Sequence, residues 1–395
     1  VTRFLDGHAV ELLEGGGAYF PALVAAIDHA RHEIHLQAYI FEHDPAGRMV
    51  ADALVRAASR AARVHVLIDG FGGRKMPPAL RQRLQAAGVD LLFFRPEVSV
   101  FGFQRSRLRR LHHKIAVIDG SVGFVGGINL IDDMHTPGHT PPRWDYAVKV
   151  RGPLTMEILR VARQTWDTVA RTYRHRRWPP WPSPMVPVRP AAARAVGPAG
   201  PIRAAFVIRD TLRHRCDIED AYLDAIAAAE RDVLIANAYF LPGVAFRRAL
   251  IEAARRGVQV TLLLQARVEY VLMRHASRVF YQQLLDAGVR IFEYHQSFMH
   301  AKVAVIDGEW ATVGSSNIDP LSLLLAREAN VIVHDAGFAG ELRASLERAM
   351  AAGARPVAAS GFRRGLVERI ASWISYGIVR VLLGWAGYGA RKDYL

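Results

Sequence analysis

The stretch "RRLHHKIAVIDGSVGFVGGIN" at 109–129 returns in altered form as "FMHAKVAVIDGEWATVGSSN" at 298–317. Both copies fit one pattern, H-x-K-x4-D-x6-G-[GS]-x-N, with the same internal spacing. The repeat extends beyond the motif. "LQAYIF" (36–41) answers to "IANAYF" (235–240), and "LQAAGVDLLFF" (84–94) to "LLDAGVRIFEY" (284–294). Between these lie an amphipathic helical pattern and an apolar strand, "MVADALVRAASR" then "VHVLID" in one copy and "AFRRALIEAARR" then "VQVTLLL" in the other. Strands alternating with helices predict an α/β fold. The duplication predicts two pseudo-symmetric lobes, each a mixed, mostly parallel sheet flanked by helices, with the site between the lobes.

The expected boundaries are residues 1–172 for the first lobe and 204–355 for the second. The segment 173–203 joins them and contains "RWPPWPSPMVPVRP". Its prolines suit neither a helix interior nor a central strand, so it reads as a linker, with or without a membrane role for its Arg–Trp opening. From 356 to 395 a tail carries apolar residues at helical spacing, including Trp373 and Trp385, flanked by Arg363, Arg364, Arg391 and Lys392. It is either a helix docked on the body or an amphipathic helix lying on a membrane.

The net charge of +14 calls for an anionic partner: nucleic acid, an acidic membrane surface or a phosphate substrate. Cys216 is the only cysteine, which excludes an internal disulfide and a Cys-rich metal site and fits a reducing compartment. The N-terminal residues do not read as a signal peptide, and no uncharged apolar run reaches 18 residues.

His112 and Lys114, like His300 and Lys302, are two residues apart, so on a strand they share a face. Asn129 and Asn317 are expected on the neighbouring strand. Bringing the copies together gathers two imidazoles, two ammonium groups and two carboxamides. That set suits a phosphodiester: one imidazole attacks phosphorus, the other protonates the leaving oxygen, and the Lys and Asn groups neutralise the remaining oxygens. Asp119 and Asp307 lie seven residues after their histidines, on the opposite face and about 23 Å away at roughly 3.3 Å per residue. They are expected to be structural anchors holding the turn that follows. Asp145 and Glu328 follow the histidines of their own copies by 33 and 28 residues and are expected to orient them. Zinc is a poor fit despite His112, His113, His135, His139 and His300, because no HExxH or Cys/His cluster occurs and each motif histidine sits beside a cation. No metal or other cofactor is expected.

"HHKIAVID…GGIN" and "HAKVAVID…GSSN" resemble the paired signatures of the phospholipase D superfamily. With "NAYFLPG" and "WATVGSSNIDPLSLLLAREANVIVHD", the chain resembles the bacterial cardiolipin synthases of that superfamily over nearly its whole length. The resemblance implies His112, Lys114 and Asn129 from one copy, and His300, Lys302, Ser315 and Asn317 from the other. Gly127 stands where a serine is common. It further implies phosphatidyl transfer between two phosphatidylglycerols, giving cardiolipin and glycerol through a phosphohistidine. His112 is then the nucleophile and His300 the acid/base, with the reverse left open by the symmetry. A phosphodiesterase acting on phospholipid or nucleic acid is the alternative; nucleic acid leaves the apolar tail without a use.

Before the first motif the repeat offset drops from 200 to 188, so the first copy carries 12 extra residues there. This insertion mixes Phe101 and Phe103 with Arg105, Arg107, Arg109 and Arg110. It is either a solvated basic loop or a contact for lipid headgroups. Peripheral attachment to an anionic bacterial membrane, more naturally on its cytoplasmic side, is the expected location.

Overall fold

The alternating patterns resolve into repeated strand–helix–strand units. The first half comprises β1 (Leu5–Glu14), α1 (Gly15–Asp28), β2 (Glu33–Ala38), α2 (Pro45–Ser59), β3 (Arg63–Asp69), α3 (Pro78–Ala86), β4 (Asp90–Phe94) and β5 (Arg110–Leu111). It continues through β6 (Lys114–Ile118), β7 (Val122–Gly126), β8 (Arg143–Trp144), β9 (Tyr146–Arg151) and α4 (Leu154–His175). The second half has β10 (Ile202–Arg209), α5 (Asp217–Ala228), β11 (Asp232–Asn237), α6 (Val244–Arg255), β12 (Gln259–Gln265) and β13 (Arg290–Tyr294). It ends with β14 (Phe298–Met299), β15 (Lys302–Ile306), β16 (Trp310–Gly314), β17 (Ala326–His334), a helix at Ala336–Gly353 and β18 (Ala354–Pro356). This computed structural model describes residues 2–96, 109–175, 196–210, 213–267, 276, 278–319, 322, 326–358, 374 and 377. Phe101, Phe103, Arg105, Arg107, Trp373 and Trp385 therefore lie outside the described residues.

The strands form one mixed sheet in the order β18-β13-β12-β11-β15-β16-β17-β10-β1-β9-β7-β6-β2-β3-β4. From β13 to β10 the order mirrors that from β4 to β1, and the halves join where β1 pairs with β10. The expectation of mostly parallel strands is corrected. Along this order the parallel pairings are those among β2, β3 and β4 and among β11, β12 and β13; the other neighbours are antiparallel. The motif strands β6 and β15 return at once as hairpins with β7 and β16, and a hairpin is antiparallel by construction. Each hairpin turns on consecutive residues of positive φ, Asp119 (+50°) and Gly120 (+67°), then Asp307 (+51°) and Gly308 (+67°). Glycine tolerates that region freely and aspartate better than most residues.

α2 shows how local sequence sets an element. Asp44 caps it by accepting from Gly47 N at 2.9 Å, Pro45 occupies its first turn, and Val50, Ala51 and Leu54 are fully buried. Apolar side chains from α1, α2 and α3 pack on one face of the first half, and those of α5 and α6 on the equivalent face of the second. The opposite faces meet each other: Ile115, Val117, Val125 and Val148 share a core with Val303, Val305, Val313 and Val331. Each such side chain contributes roughly 1.5–3 kcal/mol on burial, so this shared core binds the halves firmly. The linker is shorter than expected at both ends, because α4 runs to His175 and β10 begins at Ile202.

Two short parallel pairings cross between the halves. β5 pairs with β17, Arg327 facing Leu111, and β14 pairs with β8, Met299 facing Trp144. Both lie at the end of the sheet where β2, β3, β11 and β12 finish and the motif strands begin. In α/β sheets that carboxyl end is where ligands bind.

Candidate active site

The histidines precede their strands rather than lying in them. β6 begins at Lys114 and β15 at Lys302. The crossing pairs fix both. His112 N donates to Arg327 O at 3.0 Å, and His300 N to Trp144 O at 2.7 Å. Because each of these carbonyls immediately precedes a carboxylate residue, the imidazoles meet acids from the opposite half. His112 Nδ1 is 2.9 Å from Glu328 Oε1, and His300 Nδ1 is 2.6 Å from Asp145 Oδ2. Both acids were expected as imidazole partners, but within their own copies. The parallel bridges cross them over, which counting along the chain cannot reveal.

An ionised carboxylate accepts a hydrogen bond from Nδ1–H, which keeps the proton on Nδ1 and leaves Nε2 with a lone pair for chemistry. The imidazoles are 18% and 12% exposed, so a substrate can reach them, while Glu328 and Asp145 are buried. Burial lowers both imidazoles below their ordinary value, against the pull of their acids. His300 goes down to about 3, with Lys302 as the next cause; Lys302 Nζ lies 2.7 Å from its Nδ1 and 3.1 Å from Asp145 Oδ2. Burial raises the Asp145 carboxyl, but Lys302 and His300 outweigh it and hold it below the usual range. Each lysine also donates to the carbonyl of the histidine two residues before it, Lys114 Nζ to His112 O at 2.6 Å and Lys302 Nζ to His300 O. Burial pushes the Lys114 ammonium down to about 7.

Gly127 and Ser315 occupy equivalent positions but do different things. Ser315 Oγ donates to Glu328 Oε2 at 2.5 Å. A Cβ on Gly127 would stand 2.3 Å from Asp145 Oδ1, so glycine is required for the shorter acid to sit where it does. The size pairs are complementary: glycine with aspartate, serine with glutamate. Asn129 and Asn317 lie beyond the ends of β7 and β16, not on them. Asn129 Oδ1 accepts from Ile40 N at 3.2 Å. Asn317 Nδ2 is 3.4 Å from Ser322 Oγ, and its buried Oδ1 has no hydrogen-bond partner among the described residues.

Asp119 and Asp307 follow the far ends of β6 and β15, away from the histidines that precede those strands. Asp119 accepts from the backbone N of Arg31, His32 and Glu33, each at 2.8 Å. Asp307 accepts from Glu230, Arg231 and Asp232 at 2.8–2.9 Å. They hold the start of the neighbouring strand, not the turn that follows. His113 points away from the site, to Gln37 Oε1 at 2.8 Å, and His139 stacks on Phe298 at 4.0 Å. Among the described residues, no three His, Cys, Asp or Glu side chains lie together as a metal site would need.

Tyr39, absent from the sequence-based site, packs edge-on against His112 with ring centroids 5.0 Å apart. Its signal was present: Tyr39 and Tyr239 repeat at an offset of 200 immediately beyond β2 and near the end of β11.

Two crossed histidine–carboxylate pairs, each with a buried lysine, at the carboxyl edge of a duplicated α/β sheet define a phospholipase D-like protein. The family described as "Cardiolipin synthase, PLD-like domain" matches residues 23–137 and 222–350. Cardiolipin synthase B of Escherichia coli (strain K12) is 39% identical over 353 residues, covering 89% of this chain and 83% of that protein. Cardiolipin synthase of Geobacillus kaustophilus is 32% identical over 324 residues, covering 82% and 62%. The fold is similar to that of phosphatidylserine synthase from Haemophilus influenzae, with a TM-score of 0.68 at 13% identity over 100% of this chain and 97% of that one. The chain belongs to the phospholipase D-like cardiolipin synthase family, enzymes that transfer phosphatidyl groups.

Proposed function

We propose that the protein joins two phosphatidylglycerols into cardiolipin, releasing glycerol, in a site shared by two pseudo-symmetric lobes. The crossed histidine–carboxylate pairs carry this reading. One imidazole Nε2 forms a bond to phosphorus as the P–O bond to glycerol breaks, and the other imidazolium gives its proton to that oxygen. The hydroxyl of the second lipid then attacks phosphorus, the P–N bond breaks, and the second imidazole takes back the proton. Lys114, Lys302, Asn129 and Asn317 surround the phosphoryl oxygens with donors, and Ser315 steadies Glu328. Fixed cations supply the charge stabilisation, so the reaction is expected to need no metal.

The environment of His300 supports the nucleophile's role for it, reversing the assignment the resemblance implied. Asp145 fixes its tautomer and the adjacent Lys302 Nζ disfavours a second proton, so its Nε2 is held available. His112, paired with Glu328, is left as acid and base.

The substrate places the enzyme at an anionic bilayer. No described helix is long and apolar enough to cross a membrane, which is compatible with peripheral attachment. At the rim of the site Phe71 is 38% exposed, with Arg74 and Arg110 at 4.3 and 5.5 Å from its ring centroid. Phe101, Phe103, Arg105, Arg107 and Arg109 of the insertion, with Trp373 and Trp385 of the tail, would extend that contact. The cytoplasmic leaflet is the proposed side. Mass spectrometry of lipids after incubation with pure phosphatidylglycerol tests the reaction. Cardiolipin with equimolar glycerol is the expected product, and phosphatidic acid alone would show a hydrolase instead.

A further inference from the structure

The internal repeat supplies a comparison between the two flanks of the site. The residue two before the motif histidine is Arg110 in one copy and Phe298 in the other, and the residue before the orienting acid is Arg327 or Trp144. The flank beside His300 is packed shut. Phe298 is 5% and Trp144 7% exposed, and Trp144 Nε1 donates to Glu14 Oε1 at 3.2 Å. Arg143, which lies over Phe298, donates to the carbonyls of Asp132 and His135.

Beside His112 the same positions gather positive charge. Arg95 and Arg327 lie over the ring of Phe94 at 5.4 and 5.9 Å, and Arg110 Nη1 reaches Arg95 O at 3.4 Å. Arg109 acts on both Arg95 and Arg327, although on Arg327 the Asp210 carboxylate outweighs it. Burial, then Arg109, Arg327 and Arg110, lower the Arg95 guanidinium to about 10. Arg95 also sits at a φ of +48°, and its buried Nη1 has no hydrogen-bond partner among the described residues. Strain and an unsatisfied buried donor persist where function requires them. The buried acid at the centre, Asp69, already accepts from Phe71 N and Leu111 N at 2.8 and 2.9 Å and stands 3.7 Å from Arg110.

We propose that Arg95, Arg110 and Arg327, with Arg109, form an anion subsite beside His112 that holds the phosphodiester of the accepting lipid. This rests on the transfer reaction proposed above. The attacking hydroxyl is joined to its own phosphodiester by one glycerol unit, so that anion must sit one glycerol length from the transferring phosphorus. Leu111 N bonds Asp69 and His112 N bonds Arg327 O, so the backbones of Arg110 and Arg327 flank His112. In-line displacement brings the acceptor in opposite the P–N bond, on the side of the acid/base. A subsite beside His112 thus agrees with His300 as nucleophile, a conclusion drawn from different residues. On the aromatic flank the guanidinium of Arg143 is bonded to the carbonyls of Asp132 and His135.

The test compares two acceptors on one donor. The full chain is given phosphatidylglycerol, and cardiolipin formation is measured beside exchange of labelled glycerol into phosphatidylglycerol, whose acceptor has no phosphate. Arg95→Gln and Arg327→Gln should each lower cardiolipin formation at limiting lipid at least about tenfold, as loss of a charge-assisted bond does, while exchange stays within about twofold. Arg327→Lys should restore part of the loss. Equal loss of both reactions in a protein with unchanged melting temperature, or no loss of either, overturns the subsite. Should a Gln variant melt early, Arg95→Lys and Arg327→Lys are compared by the same ratio, and an unchanged ratio overturns it too. Inorganic phosphate is the control for a free anion. Inhibition of cardiolipin formation that spares exchange is expected, because phosphate competes with the acceptor's phosphodiester for these arginines; selective inhibition that persists undiminished in Arg95→Gln and Arg327→Gln overturns the subsite. A wild-type protein that exchanges or hydrolyses phosphatidylglycerol but makes no cardiolipin overturns the transfer reading itself.

Discussion

Asp307→Asn separates support from chemistry at the motif aspartates. The carboxylate accepts three backbone N–H bonds at the start of β11, two on Oδ1 and one on Oδ2. Burial raises this carboxyl, but the three donors outweigh it and hold it below its ordinary value. An asparagine keeps the two bonds to Oδ1 as neutral ones and turns an NH2 against Glu230 N. Charge-assisted bonds are worth about 1.5–3 kcal/mol against about 1 for neutral ones, so the loss should be about 2 kcal/mol after discounting for the water that reaches Glu230. With an unfolding entropy of roughly 2 cal/mol/K per residue, a chain of 395 residues should melt about 2–3 °C lower. The sign with pH follows: a depressed carboxyl stabilises above its unfolded pKa, and that stability is lost as pH falls through the folded value. The gap between the two proteins should therefore close in acid. Thermal denaturation at pH 7 and pH 3, with transfer assayed at 25 °C, is the measurement. Asp307 is seven residues from His300, so a folded variant should keep most of its activity. A variant that melts like the wild type yet transfers nothing would refute the argument.

Three further outcomes are expected. His112→Ala and His300→Ala should each abolish transfer from phosphatidylglycerol, and EDTA should leave the wild type active. With a donor whose leaving group needs no proton, His112→Ala should still form a covalent phosphatidyl adduct by intact mass, and His300→Ala should not. Gly127→Ala should push Asp145 off His300, because its Cβ would meet Oδ1 at 2.3 Å; a displacement near 1 Å costs on the order of 100-fold, read as kcat. Lys114→Met should abolish transfer yet raise the melting temperature. Lys114 falls from 10.5 to about 7 on burial, so its penalty is full below pH 7 and fades as pH rises towards 10.5. The gain should thus be larger at pH 6 than at pH 9.

The duplication made most of the fold legible, because matched segments in the same order force the same strand–helix sequence twice. Strand direction was less legible. The hairpins at Asp119–Gly120 and Asp307–Gly308 reverse the chain, and a count of alternating elements does not weigh that. His112, Lys114, His300, Lys302, Asn129, Asn317, Asp145 and Glu328 were all named from the sequence, as was the remoteness of Asp119 and Asp307. The pairing of acids with imidazoles was not. It depends on two-residue bridges, β5 with β17 and β8 with β14, that are too short to leave a periodic signal. Arg95 and Arg327 were invisible for the same reason: one follows the last residue of β4 and the other is the second of β17, 232 positions apart. Only the third dimension sets them on one phenylalanine.

Those bridges also order events during synthesis. A ribosome that has released the whole first half has released His112 with its lysine, its asparagine and its hairpin. The imidazole still lacks the acid that fixes its tautomer, because Glu328 lies 216 residues downstream. Asp145 is out early but has no histidine until residue 300 emerges. The His300 relay closes when β14 meets β8, and the His112 relay only when β17 has docked between β10 and β16 and met β5. The two relays are therefore complete together only once the last strand of the repeat is home.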